Sequence, residues 1–102
     1  MASTPEYLEY VLDLLADVPE VTHRKMMGEY IVYVSGKIVG GIYDDRFLVK
    51  KTPSSCNMLS AIEIPYEGAA EMLLVDIEDH EAVSELVAAM VQELPESKKR
   101  RS

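Results

Sequence analysis

Three runs rich in β-branched and aromatic residues, "EYIVYV", "KIVGGIY" and "RFLVKK", are separated each time by two residues, first Ser35-Gly36 and then Asp44-Asp45. A two-residue gap between strands leaves room only for a tight hairpin turn with positive φ angles, which Gly takes freely and Asp tolerates. The stretch therefore reads as an antiparallel meander. Its three glycines and lysine, in "YVSGKIVGGIYDD", also raise the question of a phosphate-binding loop. A P-loop needs Ser or Thr after Gly-Lys to reach magnesium, and Ile38 follows Gly36-Lys37 here. A dinucleotide fingerprint needs a helix after its last glycine, whereas "IYDDRFLVK" keeps the period of a strand. The nucleotide reading fails on both counts.

Helical patterns flank the meander. In "STPEYLEYVLDLLADVP" Ser3 or Thr4 can cap, Pro5 suits the first turn, and Glu6 forms a box with Ser3. Leu8, Val11, Leu12 and Leu15 make one apolar face, and Pro19 marks the end. Near the C-terminus Asp79 can cap a helix whose buried stripe is Val83, Leu86, Val87, Met90 and Leu94, with Pro95 after it. Between these, Thr52 and Pro53 start a short middle helix, "VTHRKMM" is a weaker strand before Gly28, "AEMLLVDI" is an interior strand, and "IEIPY" pairs beside it. The fold class expected is a two-layer α+β domain in the order α-β(3–4)-α-β(1–2)-α. An antiparallel meander sheet carries the N- and C-terminal helices on one face. Residues 1–95 form one domain and residues 96–102 a disordered basic tail.

If both turns hold two residues and the strands between them are regular, side chains can be assigned to faces. Ile31, Tyr33, Ile38, Gly40, Ile42, Phe47 and Val49 then lie under the helices. Tyr30, Val32, Val34, Lys37, Val39, Gly41, Tyr43, Arg46, Leu48 and Lys50 form the other face. That second face holds tyrosines, aliphatics and basic groups but no acid, a composition suited to an interface. The alternative is cover by another segment of the chain. Both faces are rich in apolar residues, so pattern alone holds the register weakly. Gly40-Gly41 reads as a place where something bulky, an aromatic side chain or a helix, comes close to the sheet.

The net charge is −8, and it is unevenly spread. Residues 1–20 and 63–96 carry acids and no Lys or Arg, while residues 21–52 hold Arg24, Lys25, Lys37, Arg46, Lys50 and Lys51. This excludes a protein basic all over. Short apolar stretches imply no membrane span, the N-terminus shows no secretory signal, and one cysteine suits a reducing cytoplasm. His23, His80 and Cys56 are isolated from one another in sequence, the "DIEDHE" run lacks EF-hand spacing, and no catalytic set can be assembled. No cofactor or metal is expected, and the chain is read as no enzyme.

The stretch "VTHRKMMGEYIVYVSGKIVGGIYDDRFLVKKT" resembles the signature of the N-terminal domain of TfoX (Sxy) competence regulators, roughly V-T-x-R-x-M-F-G, Y-x-x-Y-x-x-G and D-D-x-L-x-L-K. Val21, Thr22, Arg24, Met26, Gly28, Tyr30, Tyr33, Gly36, Asp44, Asp45, Leu48 and Lys50 match, and Met27 replaces the usual Phe. The resemblance implies a two-layer α+β domain in a stand-alone, single-domain member. Full regulators of this kind carry a second, helical domain and work with the cAMP receptor protein. The function expected is a non-enzymatic protein-interaction or regulatory module, docking a protein or its own copy as a homodimer. Its candidate surface is Tyr30, Val32, Lys37, Val39, Tyr43, Arg46, Leu48 and Lys50. The first alternative is direct nucleic-acid binding through Arg24, Lys25, Lys37 and Lys50; the second is a small-ligand binder or enzyme centred on Cys56 and His23.

Overall fold

The computed structural model describes residues 4–26 and 28–94. Ser3, Met27, Pro95 and the 96–102 tail, each given a role above, lie outside the described residues. The order is α1 (Pro5–Leu14), β1 (Val21–Met26), β2 (Glu29–Val34), β3 (Lys37–Ile42), β4 (Phe47–Val49), α2 (Pro53–Met58), β5 (Ile62–Glu63), β6 (Met72–Leu74) and α3 (His80–Glu93). All strand pairs are antiparallel, in one sheet of order β1-β2-β3-β4-β6-β5. The last strand of the chain thus takes an interior place, as its continuous apolar centre implies.

The local signals explain the elements. Thr4 caps α1, its side chain accepting the Tyr7 N–H, with Pro5 next. Asp79 caps α3 and accepts from the Glu81 N–H. Thr52 caps α2 through a box in which Thr52 Oγ1 accepts from Ser55 N at 3.1 Å and Ser55 Oγ accepts from Thr52 N at 2.7 Å. Helix α1 stops at Leu14, ahead of Pro19, in a tightened turn where the Leu15 N–H is shared between Val11 and Leu12. Both hairpin turns have the expected form, with Ser35 and Gly36 at φ 53° and 79°, and Asp44 and Asp45 at 54° and 57°.

Helices α1 and α3 lie on one face of the sheet. Val11, Leu15, Val83, Leu86, Val87 and Met90 pack there on Tyr30, Val32, Val34, Val39, Ile42, Phe47, Val49 and Leu73. The assignment of β2 to this layer corrects the face reading made from parity. Val34 pairs with Lys37 and Tyr33 with Ile38, but Val32 pairs with Gly40, so Val39 is a bulge. One extra residue reverses the alternation of everything counted across it. Tyr30, Val32, Val34 and Val39 are therefore core, whereas Ile31, Tyr33 and Ile38 turn outward. Lys37 also lies on the helix side, where its Nζ donates to the Val91 carbonyl in the last turn of α3 at 2.8 Å. Beyond the bulge the assignment stands: Phe47 and Val49 face the helices, and Tyr43 and Arg46, which exchange both backbone hydrogen bonds, face away.

Candidate functional site

On the outer face, paired residues form rows across the sheet. One row runs Arg24, Ile31, Gly41, Leu48 and Leu74. A second joins Thr22, Tyr33 and Ile38. Over β1 to β3 the face is open: Thr22 and Arg24 are exposed, and Ile31, Tyr33 and Ile38 are half-buried. Gly41 has its reason here. A Cβ on it would fall 2.6 Å from the Tyr30 carbonyl oxygen and 2.8 Å from the Tyr43 side chain, so both come close to the strand here.

Over β4 the same face is covered. Leu48 is fully buried although it points away from the helices. The chain between β5 and β6 returns across it, with Pro65 buried and Tyr66 6.1 Å from Tyr43 between ring centroids. Arg46 ties this segment down, donating to Glu63 Oε1 at 2.8 Å and to the Pro65 carbonyl at 3.4 Å. Lys51 closes its far end on Glu71 at 3.0 Å. Between the segment and the sheet runs a cleft of about 490 Å³, walled by Ile38, Tyr43, Pro65, Tyr66 and Met72, with Lys50 at its mouth. Burial raises the Tyr43 hydroxyl above its ordinary pKa, with smaller contributions from Tyr66 and Glu29, so the phenol is a neutral donor at physiological pH.

Of the eight residues expected at the interaction surface, Tyr43, Arg46, Leu48 and Lys50 are on this face, and Leu48 is beneath its cover. Tyr30, Val32, Lys37 and Val39 are on the helix side and leave the set, because the bulge at Val39 reverses β2 and the start of β3. Sequence reasoning missed Ile31, Tyr33 and Ile38 for the same reason. It also missed Pro65, Tyr66 and Met72, since nothing local in "IPYEGAAEM" says that β6 inserts beside β4 and drags this segment over it.

The alternative sites are dispersed. Arg24 and Lys25 are successive on a strand and project to opposite faces, Lys37 is engaged with α3, and Lys50 is at the cleft. The four do not make one basic surface. His23 is exposed on β1 with its ring centroid 6.0 Å from that of Tyr30, Cys56 is exposed on α2, and neither borders the cleft. His80 pairs with Asp13 at 3.2 Å. Among the described residues no group of three or more His, Cys, Asp or Glu is placed to hold a metal, and no helix is long and apolar enough to cross a membrane.

The glycines and aspartates of the motif serve the turns. Gly28 and Gly36 take positive φ at the first two hairpins, at 85° and 79°, and Asp44 and Asp45 form the third. Asp45 Oδ1 accepts from the Thr4 N–H at 2.8 Å, and Glu29 Oε1 accepts from the Asp44 N–H at 3.1 Å. Arg24 and Met26 are exposed on β1.

The profile of the TfoX N-terminal domain matches residues 13–72, from the end of α1 to the start of β6. An uncharacterised 12.7 kDa protein from the trpE 5′ region of Spirochaeta aurantia is 31% identical over 106 aligned positions, which take in 100% of this chain and 92% of that one. No solved structure matches. With most of its length under the family profile and a full-length relative beside it, the chain belongs to the TfoX N-terminal domain family.

Proposed function

We propose that this chain is a non-catalytic protein-interaction module of the regulatory kind, docking a protein partner on the outer face of its sheet. The observation that carries the reading is the side of β2 and β3 that none of the described helices covers. An antiparallel sheet packed on one side ordinarily shows water a polar face. This one presents Ile31, Tyr33 and Ile38 beside Arg24, Tyr43 and the cleft. Tyrosine, aliphatic and arginine side chains supply desolvated area and directed hydrogen bonds at an interface. The basic groups favour a partner segment that pairs apolar residues with acids, and such docking weakens as salt rises. An exposed, unpaired Cys56 is in keeping with the cytoplasm.

A photo-reactive phenylalanine analogue at Tyr33, in the full chain expressed in its native cells, tests the reading. A defined protein cross-linked from Tyr33, and absent when the analogue is placed at Glu81 on α3, is the expected result. Equal or absent cross-linking at the two positions overturns it.

A further inference from the structure

Tyr66 is the most exposed of the large apolar side chains among the described residues, at 63%, and Ile64 beside it is exposed at 50%. Tyr66 stands at the mouth of the cleft it helps to wall. The same mouth carries Lys50, whose ammonium has no carboxylate partner among the described residues. Glu67, next to Tyr66, is exposed and likewise without a cation. One patch thus holds a protruding phenol and a recess, an unpaired cation and an unpaired anion. A patch that meets itself across a two-fold axis must carry both halves of every contact, and this one does.

Resting on the interaction reading above, we propose that the partner at the cleft is a second copy of this chain. About a two-fold axis, Tyr66 of each copy enters the cleft of the other, and Glu67 of each meets the other's Lys50. The cleft, about 490 Å³, lies in the range that accepts a drug-sized organic molecule, so it has room for a phenol ring. Charge selects the same patch. Two chains of net charge −8 repel through acidic surfaces such as α1, with Glu6, Glu9 and Asp13, and α3, with Glu81 and Glu85. At the cleft Lys50 and Lys51 stand with Glu71, and the exposed Glu67 follows Tyr66 in the chain, so two copies approach there without that penalty.

Sedimentation velocity of the full chain, from micromolar to near-millimolar concentration, tests the assembly. The expected result is a dimer whose association constant falls about tenfold in Tyr66→Ser, in Lys50→Glu and in Glu67→Lys. Because the two charges meet across the axis, the Lys50→Glu/Glu67→Lys double variant regains association to within about threefold of the natural chain. All three positions are exposed, and an unchanged thermal midpoint confirms that the variants fold. A chain that stays monomeric throughout overturns the proposal, as does a double variant in which the two losses add. A monomer that still cross-links another protein from Tyr33 removes the two-fold dimer and leaves the interaction reading standing.

Discussion

Val32 of β2 lies opposite Gly40 of β3, and Val39 is left between two rungs of the ladder. Val39 and Gly40 consequently face the same side, Val39 entering the core under α3. The close approach of β4 to this strand needs the missing side chain of Gly40. A Cβ there would fall onto the Leu48 carbonyl oxygen and within 2.7 Å of the Val49 Cα, both backbone atoms of the next strand.

Gly40→Ala is expected to cost roughly 3 kcal/mol or more, because rigid backbone cannot move aside as a side chain can. Gly36→Ala, at a turn position with open space around it, is expected to cost only the positive-φ penalty of about 1 kcal/mol. Urea denaturation of both variants measures the contrast. Equal losses would mean that β3 and β4 are not in close contact at Gly40.

Asp45 tolerates φ 57° in the hairpin and accepts the Thr4 N–H at the start of α1. Three substitutions separate the roles. Asp45→Asn keeps both and is expected within about 1 kcal/mol of the natural chain. Asp45→Gly relieves the backbone and loses the acceptor, while Asp45→Ala loses both and falls furthest, by roughly 1–3 kcal/mol. Amide exchange in the first turn of α1 is expected to quicken in Gly and Ala but not in Asn.

Glu93 links α3 to the start of α2, its carboxylate accepting from Ser54 Oγ at 2.6 Å and Ser54 N at 3.1 Å. These hydrogen bonds hold its carboxyl below the usual range. A carboxylate whose pKa is depressed by folding stabilises the fold above its unfolded pKa and loses that contribution as pH falls through the folded one. Glu93→Gln is therefore expected to lower the urea midpoint near neutral pH. The gap should close as pH falls through the lowered folded pKa, below which the natural chain's carboxyl is protonated too. A gap independent of pH would show that the charge plays no part.

Ser84 Oγ, in α3, is buried without a hydrogen-bond partner among the described residues. Removing a desolvated hydroxyl and improving helix propensity act in the same direction. Ser84→Ala is expected to raise stability by about 0.5–1 kcal/mol, read as a higher thermal midpoint. A loss would indicate that the hydroxyl is satisfied in solution.

Much of this protein was legible from local signals. Thr4, Thr52 and Asp79 announce helices because a cap is a contact within one turn of chain. Ser35-Gly36 and Asp44-Asp45 announce hairpins because only certain residues take their φ angles. The stripe of α3, from Val83 to Leu94, is buried as its spacing requires. Tyr43, Arg46 and Lys50 could be placed on the outer face because Arg46 and Lys50 alternate with Phe47 and Val49 along one run, and a single turn joins that run to Tyr43.

The remainder was decided by tertiary structure. Both faces of "EYIVYV" and "KIVGGIY" are apolar, so binary pattern could not choose which one the helices cover. The choice fell to packing: the bulge at Val39 and the close approach of β4 at Gly40 place Tyr30, Val32 and Val34 in the core and leave Ile31 and Tyr33 outside. The cleft follows from β6 inserting beside β4, which carries residues 64–71 over Leu48. Residues in sequence determine turns and caps because those interactions are short in range. A bulge and a strand insertion depend on which distant surfaces pack best, and that is settled only when the whole layer closes.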